Sequence, residues 1–190
     1  MSEERFTFFW NGPFSQWHHS PFQIDGLRYG TAEQYMMAGK ARLFRDEATL
    51  AKIMATEEPR EQKALGRKVR WFDADRWNLA ARDIVFVGNR AKFTTHRDLL
   101  TLLLDTAGTT LVEASPLDTI WGIGLAADSP DARDRTKWRG TNWLGEVLTQ
   151  LRDVLLAEQA AGGIPELNAR LARKAGFRKQ VDSGGGSETK

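Results

Sequence analysis

Apolar and polar positions follow a short, strand-like period at the start of the chain and a helical period through most of the rest. Phe6 to Trp10 and Phe22 to Tyr29 are aromatic and β-prone, are broken by Asn11-Gly12-Pro13 and Asp25-Gly26, and read as a short sheet. At Thr31 the pattern turns helical: Thr31 is suited to cap, Gln34 stands three residues on as a capping-box partner, and Tyr35 to Phe44 is rich in helix formers. Gly39 weakens that helix by roughly 1 kcal/mol relative to Ala, which points to close packing or ligand approach at its turn. Further helices are expected over Glu47 to Ala55, Pro59 to Val69 and Ala74 to Lys92, the last with a buried stripe of Trp77, Ala81, Ile84 and Val85. Thr95 is expected to cap a helix from His96 to Thr106. A strand over Thr110 to Ala114 leads into an irregular stretch, Ser115 to Trp138, and Asn142 is expected to cap a closing amphipathic helix from Trp143 to about Gln159. Strands that neither alternate with helices nor are numerous enough for a doubly wound sheet give an α+β class, mainly helical, with a small β-sheet.

A chain of 190 residues, 41% hydrophobic and 27% charged, has the composition of one globular domain, expected over residues 1–160. Gly162-Gly163 then opens a tail over 161–190, with a basic helix around Pro165 to Ala175 and a flexible Ser183-Gly184-Gly185-Gly186-Ser187 end. No stretch approaches the roughly 20 apolar residues of a membrane span, and Met1 to Arg5 lacks a signal-peptide pattern, so a cytoplasmic protein is expected. The absence of cysteine excludes a disulfide scaffold, a thiol nucleophile and a thiolate zinc site. His18 and His19 are adjacent and His96 is far away, a spacing that supports no catalytic metal, and no cofactor is expected.

A pI near 9.0 invites a nucleic-acid reading. Residues 166–190, however, carry a surplus of three positive charges and the remainder a net −1, so the basicity belongs to the tail. One local exception is Arg60, Lys63, Arg67, Lys68 and Arg70, which on a helix put several cations along one side, either as a solvated face or as a phosphate-tracking patch.

Three segments hold candidate chemistry. On the capped helix, Glu33, Met37 and Lys40 share a face, with the Glu33 and Lys40 backbones roughly 10 Å apart along it, a distance a ligand can bridge. The plain alternative is an acid that favours the helix dipole and a surface lysine. In Leu111 to Gly124, a strand runs into a loop bearing Glu113, Ser115, Asp118, Trp121, Gly122 and Gly124, where glycine amides would approach a phosphate and Trp121 would stack on a base, or where a tight turn simply buries the indole. Trp138 to Gly145 is a glycine-bearing loop opening a helix, a natural anion site, with Asn142 as an ordinary cap in the simpler reading.

The ordered set Phe14-Ser15-Gln16-Trp17, Pro21-Phe22, Thr31-Ala32-Glu33-Gln34-Tyr35-Met36-Met37 with Lys40-Ala41, Lys92-Phe93, Leu111-Val112-Glu113-Ala114-Ser115, Asp118 with Trp121-Gly122-Ile123-Gly124, and Gly140-Thr141-Asn142-Trp143-Leu144-Gly145 resembles the NADAR (YbiA-like) family over about Phe6 to Leu156. Gly39 and the tail after Gly162 match nothing in the family pattern. The resemblance implies a compact, mostly helical α+β N-glycosidase acting on ribose-phosphate compounds. It further implies catalytic roles for Glu33, Lys40 and Asp118. Substrate contacts are expected from Trp10, Asn11, Ser15, Gln16 and Trp17, from Tyr35, Lys92 and Phe93, from Glu113, Ser115, Trp121, Gly122 and Gly124, and from Trp138, Gly140 and Asn142.

Two substrate types are associated with such proteins: ADP-ribose attached to guanine in DNA or RNA, and phosphorylated intermediates of riboflavin synthesis. A non-catalytic module binding ADP-ribose or NAD is the reading from another class. Cleavage at C1 of ribose needs either an oxocarbenium route, with Glu33 and Asp118 as the carboxyl pair, or attack by Lys40 on the opened ribose to give a Schiff base while Glu33 shuttles protons. The resemblance and the shared helix face favour the lysine route.

Overall fold

A computed structural model describes residues 4–165, so the tail from 166 onward, with all but the first residue of the basic helix expected around Pro165 to Ala175, lies outside the described residues. The element order is β1 (Phe6–Phe9), β2 (Phe22–Ile24), β3 (Leu27–Tyr29), α1 (Ala32–Leu43), α2 (Glu47–Ala55), α3 (Pro59–Gly66), α4 (Ala74–Thr95), α5 (Arg97–Leu104), β4 (Thr110–Glu113) and α6 (Trp143–Ala160), with two short 3-10 turns between β4 and α6. The class is α+β and mainly helical. Among the described residues no helix is long and apolar enough to cross a membrane.

The strands do not form one sheet. β2 and β3 make a small antiparallel hairpin turning at Asp25 and Gly26, both at positive φ. β1 instead pairs in parallel with β4, Phe6 opposite Thr110 and Phe9 opposite Glu113. A parallel pair needs a long crossover rather than a turn, and here most of the helices lie between its two strands. Side chains alternate across this ladder: Phe9 and Leu111 enter the main core, while Phe6, Phe8 and Val112 join Ile123, Leu125, Ala132 and Trp138 in a second, smaller cluster.

α1 starts where expected. The Thr31 hydroxyl accepts from Gln34 N at 3.1 Å, and the Gln34 side chain reaches back to the amide of Gly30, one residue before the cap. Three glycines then let α1 lie close to its neighbours. A Cβ on Gly39 would stand 2.7 Å from Ile84 Cγ2, one on Gly66 2.0 Å from Met37 Sδ, and one on Gly88 2.5 Å from Tyr35 Cδ1. Gly39 thus serves close packing of α1 on α4.

Three boundaries differ from the sequence pattern. α3 stops at Gly66, where the amides of Arg67 and Lys68 close the last turn onto Lys63 O and Leu65 O, so Arg67, Lys68 and Arg70 lie in the following turn and not on a continuous cationic helix face. α4 continues to Thr95, so the residue at the N-cap position of α5 is His96, extended at φ −117, which separates the two helices. Asn142 stands before α6 in the left-handed region, φ 54, and makes no cap hydrogen bond. Its amide bonds instead to β4, accepting from Glu113 N at 2.9 Å and donating to Leu111 O at 3.0 Å.

Candidate active site

The first turn of α1 and the end of β4 bring three carboxyl groups into one electrostatic cluster. Glu33 is buried, and its pKa is pushed up to about 7, chiefly by loss of water and then by the charge of Asp118, against the opposing pull of Lys63, Arg67 and a hydrogen bond from the Trp17 indole. Glu113 is raised to about 7 as well, by burial first and then by Asp118 and Glu33, and its Oε2 is buried without a hydrogen-bond partner. Asp118 is held in place by its own turn: Oδ1 accepts from Ile120 N at 3.0 Å and Trp121 N at 2.8 Å, while Oδ2 lies 3.8 Å from Lys63 Nζ. Two carboxyl groups that keep their protons to near neutrality, beside a third in a polar turn, are suited to trade protons with a substrate.

The backbone around Glu33 is fixed from both sides. Glu33 N donates to Gln16 O at 2.9 Å, and Gln16, nearly buried, accepts from Asn89 Nδ2 at 2.7 Å. Lys92 has no solvent exposure; its ammonium donates to Pro13 O at 2.6 Å and Ser15 O at 3.0 Å, and burial depresses its pKa to about 7. Lys92 and Asn89 therefore hold the 13–17 loop that presents Trp17 to Glu33. Ser15 contributes its hydroxyl to Trp17 N at 3.2 Å, and Phe93 is core, packed on Phe14.

Lys40 lies farther along α1 in different surroundings. Its Nζ sits 4.1 Å from the centroid of Phe72 and 5.4 Å from that of Trp77, and partial burial there lowers its pKa. No carboxylate contributes to that shift, whereas Lys63, one of the basic run 60–70, acts on Glu33, Glu113 and Asp118 together.

The glycine loops bind each other. Ile123 N donates to Glu113 O, Gly124 N to Asp118 O, Arg139 N to Ile123 O, Thr141 N to Thr119 O and Asn142 N to Gly122 O. At the start of α6, Trp143 N and Leu144 N go to Ile120 O and Trp121 O. A Cβ on Gly140 would meet Gly122 O at 2.3 Å, and one on Gly122 would meet Glu113 O at 2.8 Å. These bonds and glycines lock loop 115–124 against loop 139–144, so the amides of Ile123, Gly124, Arg139, Thr141, Asn142, Trp143 and Leu144 are engaged within the protein.

Other expected contacts divide in the same way. Trp121 packs edge-on to Trp143, with Ser115 buried nearby against Gly122. Trp10 and Asn11 are exposed on the loop after β1. Trp138 belongs to the second core, donating Nε1–H to Ala132 O and packing on Phe6. Tyr35 lies against Tyr29 and Phe22 of the hairpin and against Gly88. Asn142 is fully buried with its amide engaged by β4. Lys63, Arg67, Asn89, Phe72 and Trp77 were not singled out as site residues. The first two were visible as members of the basic run, and Asn89 as a polar residue one helical turn from Val85 in the buried stripe.

The chain is similar to known proteins in sequence and fold. Residues 8–156 match the NADAR domain family. An N-glycosidase of Acanthamoeba polyphaga mimivirus is 46% identical over 145 residues, covering 74% of this chain and 85% of that protein. The N-glycosidase YbiA of Escherichia coli K12 is 31% identical over 148 residues, covering 78% of this chain and 84% of YbiA. The NMR structure of E. coli YbiA superposes with a TM-score of 0.69 at 28% identity, over 84% of this chain and 90% of that one. With the family matched across most of its length and relatives of this similarity, the chain belongs to the NADAR family.

Proposed function

We propose that this protein is an N-glycosidase that releases ADP-ribose from guanine bases in nucleic acid, with Lys40 as the attacking amine and the Glu33, Glu113 and Asp118 cluster handling protons. N-glycosidase chemistry follows from the family and its named members. The observation that carries the mechanistic reading is the buried carboxyl cluster at the start of α1, with Glu33 and Glu113 raised to about 7, on the same helix as a lysine whose ammonium is destabilised by burial.

A lysine must be neutral to attack, and the partial burial of Lys40 favours that state against the pull of the Phe72 and Trp77 ring faces on the ammonium. The Lys40 nitrogen bonds to C1 of the ribose as the bond from C1 to the base breaks, and a protonated carboxyl group of the cluster gives its proton to the departing base. The resulting carboxylate then moves one proton from the lysine nitrogen to the ring oxygen. The C1–O bond opens and leaves a protonated imine. Water adds to C1, the imine hydrolyses, and ribose leaves with the amine restored. Groups titrating near neutrality serve both directions of transfer.

Support for a phosphate-bearing substrate comes from Lys63 and Arg67, which act on the carboxyl cluster and supply positive charge beside it. The half-exposed indoles of Trp10 and Trp17 offer stacking surface for a base. The same basic residues favour this substrate over a riboflavin-pathway intermediate, for which a small closed pocket without them would be the better fit.

The test is to incubate the protein with an oligonucleotide carrying ADP-ribosylated guanine and follow products by mass spectrometry. Release of ADP-ribose with an intact oligonucleotide is expected, with kcat falling by on the order of 10²–10⁴ in Glu33→Gln. Failure of the wild type to release it, alongside cleavage of a phosphorylated ribosyl intermediate of riboflavin synthesis, would overturn the guanine assignment.

A further inference from the structure

The turn between α3 and α4 holds two aromatic side chains out in water. Trp71 is 67% exposed and Phe72 46% exposed. Neither position is a loose end. Asp46, buried at the start of α2, accepts from Arg70 N at 2.9 Å, Arg70 Nε at 3.2 Å and a terminal Arg70 nitrogen at 2.8 Å. The same carboxylate caps α2 through Thr49 N. Trp71 follows this clamp in the left-handed region, φ 53, a conformation that disfavours a residue with a side chain. The Arg70 guanidinium lies 4.5 Å from the Trp71 ring centroid. Phe72, next in sequence, contacts Lys40 and rests edge-on against Phe44.

A strained and clamped tryptophan that is 67% exposed leaves most of its surface to water. What it presents is a flat ring backed by the Arg70 cation, three to four residues after the exposed cations Arg67 and Lys68 and next in sequence to Phe72, which contacts Lys40. Aromatic rings interleaved with cations are how proteins hold unpaired nucleic-acid strands: a base stacks on the ring and phosphates meet the charges, largely without regard to sequence. Arg67 joins this turn to the carboxylate cluster, since it also acts on Glu33. Asp73, the nearest acid beyond the aromatics, spends its carboxylate on Arg76 N at 2.7 Å as the cap of α4.

We propose that the turn from Arg67 to Phe72 is a binding surface for single-stranded polynucleotide, on which an unpaired base flanking the reacting nucleotide stacks against Trp71 and the neighbouring phosphates meet Arg67 and Lys68. This rests on reading the substrate as a modified nucleic acid, and it assigns where the unmodified part of that strand runs.

The test uses the full chain and an unmodified, fluorescein-labelled single-stranded DNA oligonucleotide, followed by fluorescence anisotropy across a salt series. Wild type is expected to bind. Trp71→Ala is expected to weaken binding roughly tenfold or more, and Trp71→Phe to retain most of it. Lys68→Ala is expected to reduce the slope of log K against log salt by about 0.7. Affinity for free ADP-ribose is expected to be unchanged in all three variants. Equal oligonucleotide binding by wild type and Trp71→Ala places the strand elsewhere and overturns the proposal, as does no binding by wild type. Product release from the ADP-ribosylated oligonucleotide, measured in parallel, separates the two readings: binding through Trp71 without any release supports this surface and removes the guanine substrate, whereas release unaffected by Trp71→Ala, with unchanged binding, removes only this surface.

Discussion

Glu33, in the first turn of α1, raises the proton affinity of Glu113, the last residue of β4, and the charge of Asp118 raises that of both. Both reach about 7 from an ordinary value of 4.5, burial being the larger cause in each. The folded state therefore holds more protons than the unfolded state between about 4.5 and about 7, and stability falls as pH rises through that window. Glu33→Gln is expected to match wild type in stability near pH 4 and to exceed it at pH 8 by on the order of 1–3 kcal/mol, measured by urea unfolding at the two pH values. A variant no more stable than wild type at pH 8 would show that Glu33 ionises freely in the folded state.

The Trp17 indole lowers the pKa of Glu33 by donating to its carboxylate. Trp17→Phe removes the donor and keeps an aromatic ring. The limb of the pH–rate profile that reports Glu33 is expected to move to higher pH, and an unmoved limb would mean that another group sets it.

Lys92 titrates in the opposite sense. Burial depresses its folded pKa to about 7 from 10.5, so the unfolded state binds the extra proton between those values and stability rises with pH across them. Lys92→Met is expected to lose that rise and, at neutral pH, to lose about 1–3 kcal/mol because the carbonyls of Pro13 and Ser15 forfeit their donor. Because those carbonyls belong to the loop carrying Trp17, KM is expected to change as well, which steady-state kinetics on the refolded variant would read.

Gly39 offers a packing test away from the chemistry. An added Cβ meets Ile84 Cγ2 at 2.7 Å, so Gly39→Ala sets a helix-propensity gain of about 1 kcal/mol against overpacking of about 1–3 kcal/mol. Net destabilisation is expected in the wild-type background. In Ile84→Ala, which removes the obstructing atom, the same substitution is expected to stabilise, and a double-mutant cycle of unfolding free energies checks the reversal.

What the sequence made legible was mostly local. The start of α1 is written in Thr31 and Gln34, which need only each other and Gly30, and α2 was bounded to the residue by its own composition. The pairing of β1 was not legible, because its partner lies about a hundred residues away with no turn to announce it. Asn142 misled for a related reason: beside a helix start it has the residue type of a cap, but its amide serves a strand brought near by the fold. The glycines of 122–140 resemble a phosphate loop because close backbone approach requires glycine whatever does the approaching, and here it is another loop. In the site, Glu33 and Asp118 were recognisable as acids in favourable contexts, and their meeting with Glu113 and Lys63 depends on the crossing of α1, α3 and the segment after β4.

The most direct test of the proposed chemistry is to add borohydride while the protein turns over an oligonucleotide carrying ADP-ribosylated guanine and to locate any reduced adduct by peptide mass spectrometry. A ribose-derived adduct on Lys40, absent in Lys40→Ala and lower in Glu33→Gln, is the expected result. Turnover at the wild-type rate by Lys40→Ala, or an adduct on Lys63 in its place, would contradict the assignment of Lys40 as the attacking amine.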